Sequence, residues 1–144
     1  MRCPKIYVAG PSAKLQDFEV LFPKLREAGF EITFDWTVAI REAGSASPDD
    51  PVVCRKAAED DLQGVLSADV FWIVQPDEAS TSTGAWFEFG AAATQRKRTG
   101  SPMIIVSGAS KKCIFRFLAD SLFESHDEAF EYIVSSVRTC DHDL

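Results

Sequence analysis

Five consecutive apolar residues, Val70-Phe71-Trp72-Ile73-Val74, constrain this chain more than any other feature. The run is short, β-branched and aromatic, and it has no polar side to turn toward water. It reads as a strand buried on both faces, the kind found in a parallel sheet covered by helices. Soon after it come four hydroxyl residues, Ser80, Thr81, Ser82 and Thr83, then Gly84 and an alanine-rich segment that reads as a helix. A helix start exposes unpaired N–H groups, so a loop of this composition suits a sugar or a phosphate. About one turn inside the helix lies Glu88, between Phe87 and Phe89 and ahead of Gly90 and three alanines. An ionisable group in such apolar surroundings calls for a reason. Two readings stay open: a reactive carboxylate, or an acid that complements the helix dipole behind an ordinary Ser82 or Thr83 cap.

At 144 residues the chain is expected to form one domain, residues 1–144, with a core of its own. A net charge of -7 speaks against nucleic-acid polymers and anionic membranes as partners, since both require a basic face. Small ligands remain. No run reaches the roughly 18 apolar residues of a membrane span, and no signal peptide precedes the first strand, so the expected location is cytoplasmic. Cys3, Cys54, Cys113 and Cys140 show no CxxC spacing and have only His126 and His142 as partners, which points to reduced thiols and no metal or other cofactor. Ser125-His126-Asp127-Glu128 reads as a capping box rather than as part of a catalytic triad.

Along the chain, residues 5–10 form a first strand ending at Gly10-Pro11, and Leu15, Phe18, Leu21, Phe22 and Leu25 recur at helical spacing. Residues 30–36 alternate with period two and predict a second, edge-like strand with Asp35 and Trp36 at its tip. Residues 37–50 read as a long polar loop able to act as a lid. Asp50-Pro51 starts a helix running to about Ser67, Arg96-Lys97-Arg98 ends the Glu88 helix, and residues 103–106 form another buried strand. Residues 113–118 fit a short helix or a strand equally, and a last helix starts at Ser125. The pattern predicts an α/β, single-domain, three-layer sandwich: about five parallel strands, flavodoxin/Rossmann-like, with helices on both faces. Ligands of such sheets bind at the carboxyl ends of the strands, where Tyr7 to Pro11, Asp35-Trp36 and Ser80 to Glu88 converge.

Three passages, KIYVAGP from Lys5, DLQGVLSADVFWIV from Asp61 and STGAWFEFGAA from Ser82, occur in this order. Together they resemble the nucleoside 2-deoxyribosyltransferase family and its relatives, the deoxynucleoside 5'-monophosphate N-glycosidases. The resemblance covers most of the chain up to about Val106. It implies that Glu88 is a nucleophile attacking C1' of a deoxynucleoside, that Asp61 helps protonate the departing base or orients the sugar, and that the Tyr7 hydroxyl holds the nucleophile. A carboxylate suits an oxocarbenium-like transition state, as in retaining glycosidases. Asp61 also fits a solvated acidic helix face with Glu59 and Asp60, and Tyr7 an ordinary strand tyrosine. The convergence of strand ends makes Gly10, Pro11, Asp35, Trp36, Ser80, Ser82 and Gly84 the expected substrate contacts, and the resemblance implies a homodimer or larger homo-oligomer that completes its sites across an interface.

One departure is informative. Transferases resembling this chain often carry an acidic residue six positions before the nucleophile, whereas the glycosidases typically carry serine there, and this chain has Ser82. That implies a preference for a phosphorylated ligand, since hydroxyls accept a phosphate where a carboxylate repels it. The glycosidases' serine-arginine-glycine loop is missing, and Lys14, Arg41 and Arg55 are the candidate cations. Transfer, hydrolysis and non-catalytic nucleotide binding are the three functional expectations.

Overall fold

The structure, a computed structural model, describes residues 2–43, 50–75, 83–108 and 113–137. Five strands form one sheet: β1 (Lys5–Ala9), β2 (Glu31–Ile32), β3 (Val70–Val74), β4 (Met103–Ser107) and β5 (Ser121–Phe123). All pairings are parallel and the order is β2-β1-β3-β4-β5. This is the flavodoxin-like order, in which the winding reverses between β1 and β3. The helices are α1 (Leu15–Glu27), α2 (Trp36–Ala43), α3 (Pro51–Ser67), α4 (Thr83–Thr99) and α5 (His126–Ser136), with short 3₁₀ turns at Ser12–Lys14 and Ile114–Leu118.

Every residue of β3 is buried, as its composition requires, and its side chains alternate between two helical layers. Phe71 faces α4, where Phe89 meets it edge-on at 6.1 Å, and it stacks on Tyr7 of β1 at 6.0 Å. Trp72 faces the opposite layer. Its indole N–H donates to Ser107 Oγ at 2.8 Å, and Ser107 Oγ lies 2.7 Å from His126 Nδ1 at the start of α5. A wholly buried serine hydroxyl is thus held between an indole donor and an imidazole. Gly10, just past β1, is required by crowding: a Cβ there would run into the Phe18 ring and approach Val74 O to 2.9 Å.

Several expectations are corrected. The alternating segment 30–36 contributes only Glu31–Ile32 to the sheet. Residues 36–43 form α2 rather than a loop, because the Asp35 carboxylate accepts from the Thr37 and Val38 backbone N–H groups and from the Thr37 hydroxyl, an N-cap that starts a helix. The rest of the expected lid, residues 44–49, lies outside the described residues. The ambiguous segment 113–118 is a 3₁₀ turn leading into β5. Cys3 is disulfide-bonded, against the expectation of reduced thiols, whereas Cys54 and Cys113 are not in disulfides and Cys140 lies outside the described residues. Spacing along the chain carries no information on which distant cysteines the fold brings together. The readings of the termini fare better: Asp50 caps α3 through Val52 N and Val53 N, and Ser125 Oγ accepts from Glu128 N at 3.2 Å. Among the described residues no helix is long and apolar enough to cross a membrane.

Candidate functional site

The sheet order leaves a cleft of about 810 Å³ at the carboxyl end of β1, walled by α2, α3 and the first turns of α4. Its floor is polar. Tyr7, from the middle of β1, is 1% exposed and presents its hydroxyl to two carboxyls, Glu88 from α4 and Asp61 from α3. Three different elements therefore deliver one phenol and two acids to the same point.

The electrostatics follow from that placement. Burial pushes the Glu88 carboxyl up to about 7, the Tyr7 hydroxyl lowers it in part, and the Asp61 charge raises it again. Burial likewise pushes Asp61 up to about 6, with the neighbouring Asp60 charge adding to the rise and Tyr7 opposing it. Tyr7 itself is driven far above the ordinary phenol range, first by burial and then by the two carboxylates, so it stays a proton donor at every accessible pH. Glu88 Oε2 is buried without a hydrogen-bond partner among the described residues. A buried carboxyl oxygen without a partner favours the protonated acid, in line with the raised Glu88 pKa.

Of the residues expected at the site, Tyr7, Gly10, Pro11, Trp36, Asp61, Gly84 and Glu88 all line the cleft. Trp36 is also pinned to the scaffold, because its indole N–H donates to Val8 O at 2.8 Å and its ring packs on Phe18 at 4.8 Å. Asp35 does not line it. Its carboxylate is taken up by the α2 cap and by Arg26, 2.6 Å away; burial alone would raise its pKa, but the Thr37 hydroxyl and Arg26 hold it below the ordinary range. Ser80 and Ser82 lie outside the described residues. None of the expected cations Lys14, Arg41 and Arg55 borders the cleft, and Arg41 pairs with Glu19 at 3.0 Å.

The cation that does border it is Lys56, which the sequence reading passed over. It pairs with Asp60 one turn along α3 at 2.9 Å. Ser12, which the sequence offers with Lys14 in place of the missing loop, lines the cleft, and Phe34, Ile40 and Glu42 join the wall in ways that sequence order alone did not announce. The only available signal was the position of Lys56 and Asp60 at the i and i+4 spacing of a helix that also bears Asp61. Among the described residues no group of three or more metal-binding side chains occurs.

Such an arrangement can exchange protons and offer a carboxylate near neutral pH: two buried carboxyls raised to about 6 and about 7 beside one phenol. No protein-family model matches the chain, and no curated protein matches it.

Proposed function

We propose that the cleft cleaves the N-glycosidic bond of a deoxynucleoside by double displacement, in the manner of the nucleoside 2-deoxyribosyltransferases that the chain resembles. The observation carrying this reading is the convergence of Glu88, Asp61 and Tyr7 on one cleft, with Glu88 Oε2 buried there without a hydrogen-bond partner among the described residues. Because burial raises Glu88 above Asp61, the proton the pair holds must pass from Glu88 to Asp61 before attack; ionised Glu88 then bonds C1', the C–N bond breaks with its electron pair leaving on the base, and Asp61 gives that proton to the base nitrogen. A second base, or water, then releases the sugar from Glu88. Gly10, Pro11 and Trp36 shape the pocket around the substrate, and Thr83 and Gly84 place the α4 N-terminus beside it.

The described wall carries Glu42, Asp60, Asp61 and Glu88 against a single lysine that is already paired. That balance favours an uncharged deoxynucleoside over its 5'-monophosphate. Hydrolysis of a 5'-monophosphate is the second reading, favoured by the α4 N-terminus at the cleft, where backbone N–H groups suit an anion.

The test is incubation with deoxynucleosides and with their 5'-monophosphates, each with and without a second free base, followed by chromatography. Exchange of the base on the unphosphorylated nucleoside is the expected result, and Glu88→Gln should abolish it while leaving the fold intact. Release of base without exchange, confined to the monophosphate, would establish the hydrolase instead. Binding without turnover in either series would make the domain a nucleotide sensor.

A further inference from the structure

Behind the sheet, in the layer opposite the cleft, a second cavity of about 190 Å³ lies between α1 and α5. It shares no described lining residue with the cleft. Phe18 is the partition: its ring borders the cavity and also packs on Trp36 of the cleft wall at 4.8 Å. The floor is apolar, made by the buried Phe18, Trp72 and Val74. His126 stands half-buried in the wall, and Asp17 and Asp127 stand exposed at the mouth. The one cation on the lining, Lys24, lies over the Phe130 ring, 4.8 Å from its centre.

The hydrogens around His126 follow from what each partner can do. The Trp72 indole can only donate, so Ser107 Oγ accepts from it at 2.8 Å. The serine keeps one hydrogen to give, and His126 Nδ1 lies 2.7 Å away. A proton on Nδ1 would strand that hydrogen inside a fully buried site, whereas a bare Nδ1 satisfies all three groups. The imidazole is therefore neutral, with its proton on Nε2. Burial acts the same way, holding the His126 pKa below the ordinary range against the pull of Asp127 and Asp17. Because Nδ1 is held on Ser107, which does not line the cavity, the opposite edge of the ring is the one that does.

An N–H donor near two carboxylate acceptors, above an apolar floor, matches a carbonyl next to an N–H on a flat ring. Size limits the number of rings. An apolar cavity of roughly 150 Å³ takes one benzene, so about 190 Å³ holds one ring with a polar edge and excludes a whole nucleoside. We propose that this cavity is a second binding site, for a small single-ring lactam, whose edge a free pyrimidine base also carries. Its ring lies on Trp72 and Phe18, its carbonyl accepts from His126 Nε2–H, and its N–H donates to a carboxylate at the mouth. The site stands independently of the chemistry assigned to the cleft.

NMR of the nitrogen-labelled protein titrated with 2-pyridone tests it. The Trp72 indole N–H and the His126 ring nitrogens are expected to move, and to move further than the indole N–H of Trp36, which is bonded to Val8 O. N-methyl-2-pyridone keeps the carbonyl and loses the N–H, and should bind about fivefold more weakly. Leu21→Trp, which fills the cavity from α1 without touching the Trp72–Ser107–His126 relay, should abolish the response. His126→Phe should weaken 2-pyridone about fivefold and leave benzene binding unchanged. Signals at Trp72 and His126 that stay in place at millimolar 2-pyridone, or that move as far in Leu21→Trp, would overturn the proposal. So would a methylated probe that binds as well, a His126→Phe protein with undiminished affinity, or a larger response at Trp36, which would put the probe in the cleft.

Discussion

Glu88 is the residue at which the fold is least comfortable. Its carboxyl titrates at about 7 in the folded chain against an ordinary 4.5, and burial is the main cause. The folded state therefore holds that proton more tightly than the unfolded state. The resulting stabilisation is complete below about pH 4.5 and is lost as pH rises through about 7. At pH 8 the protein carries a half-buried carboxylate that Glu88→Gln would remove. The variant is expected to be more stable than the parent at pH 8 by on the order of 1 to 3 kcal/mol, a range reduced for the solvent that reaches the cleft. The difference should close as pH falls toward 4.5. Urea unfolding at several pH values measures it, and a variant less stable at pH 8 would show that the carboxylate is well accommodated. The oddity of Glu88 was legible in the sequence, because a carboxylate among phenylalanines and alanines at a helix start stands out. Its dependence on Tyr7 and Asp61 was not, since three elements separated by dozens of residues meet only once the sheet order is known.

At the scale of elements, α2 links the scaffold to the cleft. Asp35 caps it, Trp36 anchors its start to Val8, and Ile40 faces the pocket. Removing the cap in Asp35→Ala is expected to cost about 1 kcal/mol of stability and to loosen the wall. KM should rise several-fold with little change in kcat, because no reacting group is touched; a drop in kcat alone would mean that Asp35 acts in the chemistry. Strands β1, β3 and β4 were readable because each is an unbroken apolar run. The boundary at Asp35 was misread because residues 30–36 alternate as a strand would, and the same aspartate serves equally well as a strand tip or as an N-cap. Strand β5 spans three half-exposed residues and leaves no periodicity to detect. Gly64, whose missing Cβ leaves room for the Tyr7 ring, and Lys56 were passed over for a different reason: their meaning depends on which face of α3 meets Tyr7, and α3, whose Val52, Val53 and Leu66 stay exposed, carries no single apolar stripe from which that face could be read.

For the whole molecule, the expected homo-oligomer is narrowed by what the fold leaves outside. Phe89 is in the core and Trp86 leans on it at 5.0 Å, but Phe87 remains 67% exposed beside Leu66, Gly90 and Ala91 in a groove of about 860 Å³ between α3 and α4. Gly90 has open space where a side chain would stand, which suits the close approach of a second copy. Light scattering at micromolar concentration is expected to give the mass of at least two chains, and Phe87→Lys to give one; a monomeric parent would end the idea. The outer strands say where such contacts cannot form. Strand β2 has two residues and β5 three, so neither border of the sheet offers a stretch of free backbone long enough to recruit a strand from a neighbour. The most apolar strand sequences, residues 70–74 and 103–106, are both sealed inside the sheet. The fold thus acts as its own quarantine: the stickiest part of the chain is released only by global unfolding, so precipitation on heating should follow the loss of the native state rather than precede it.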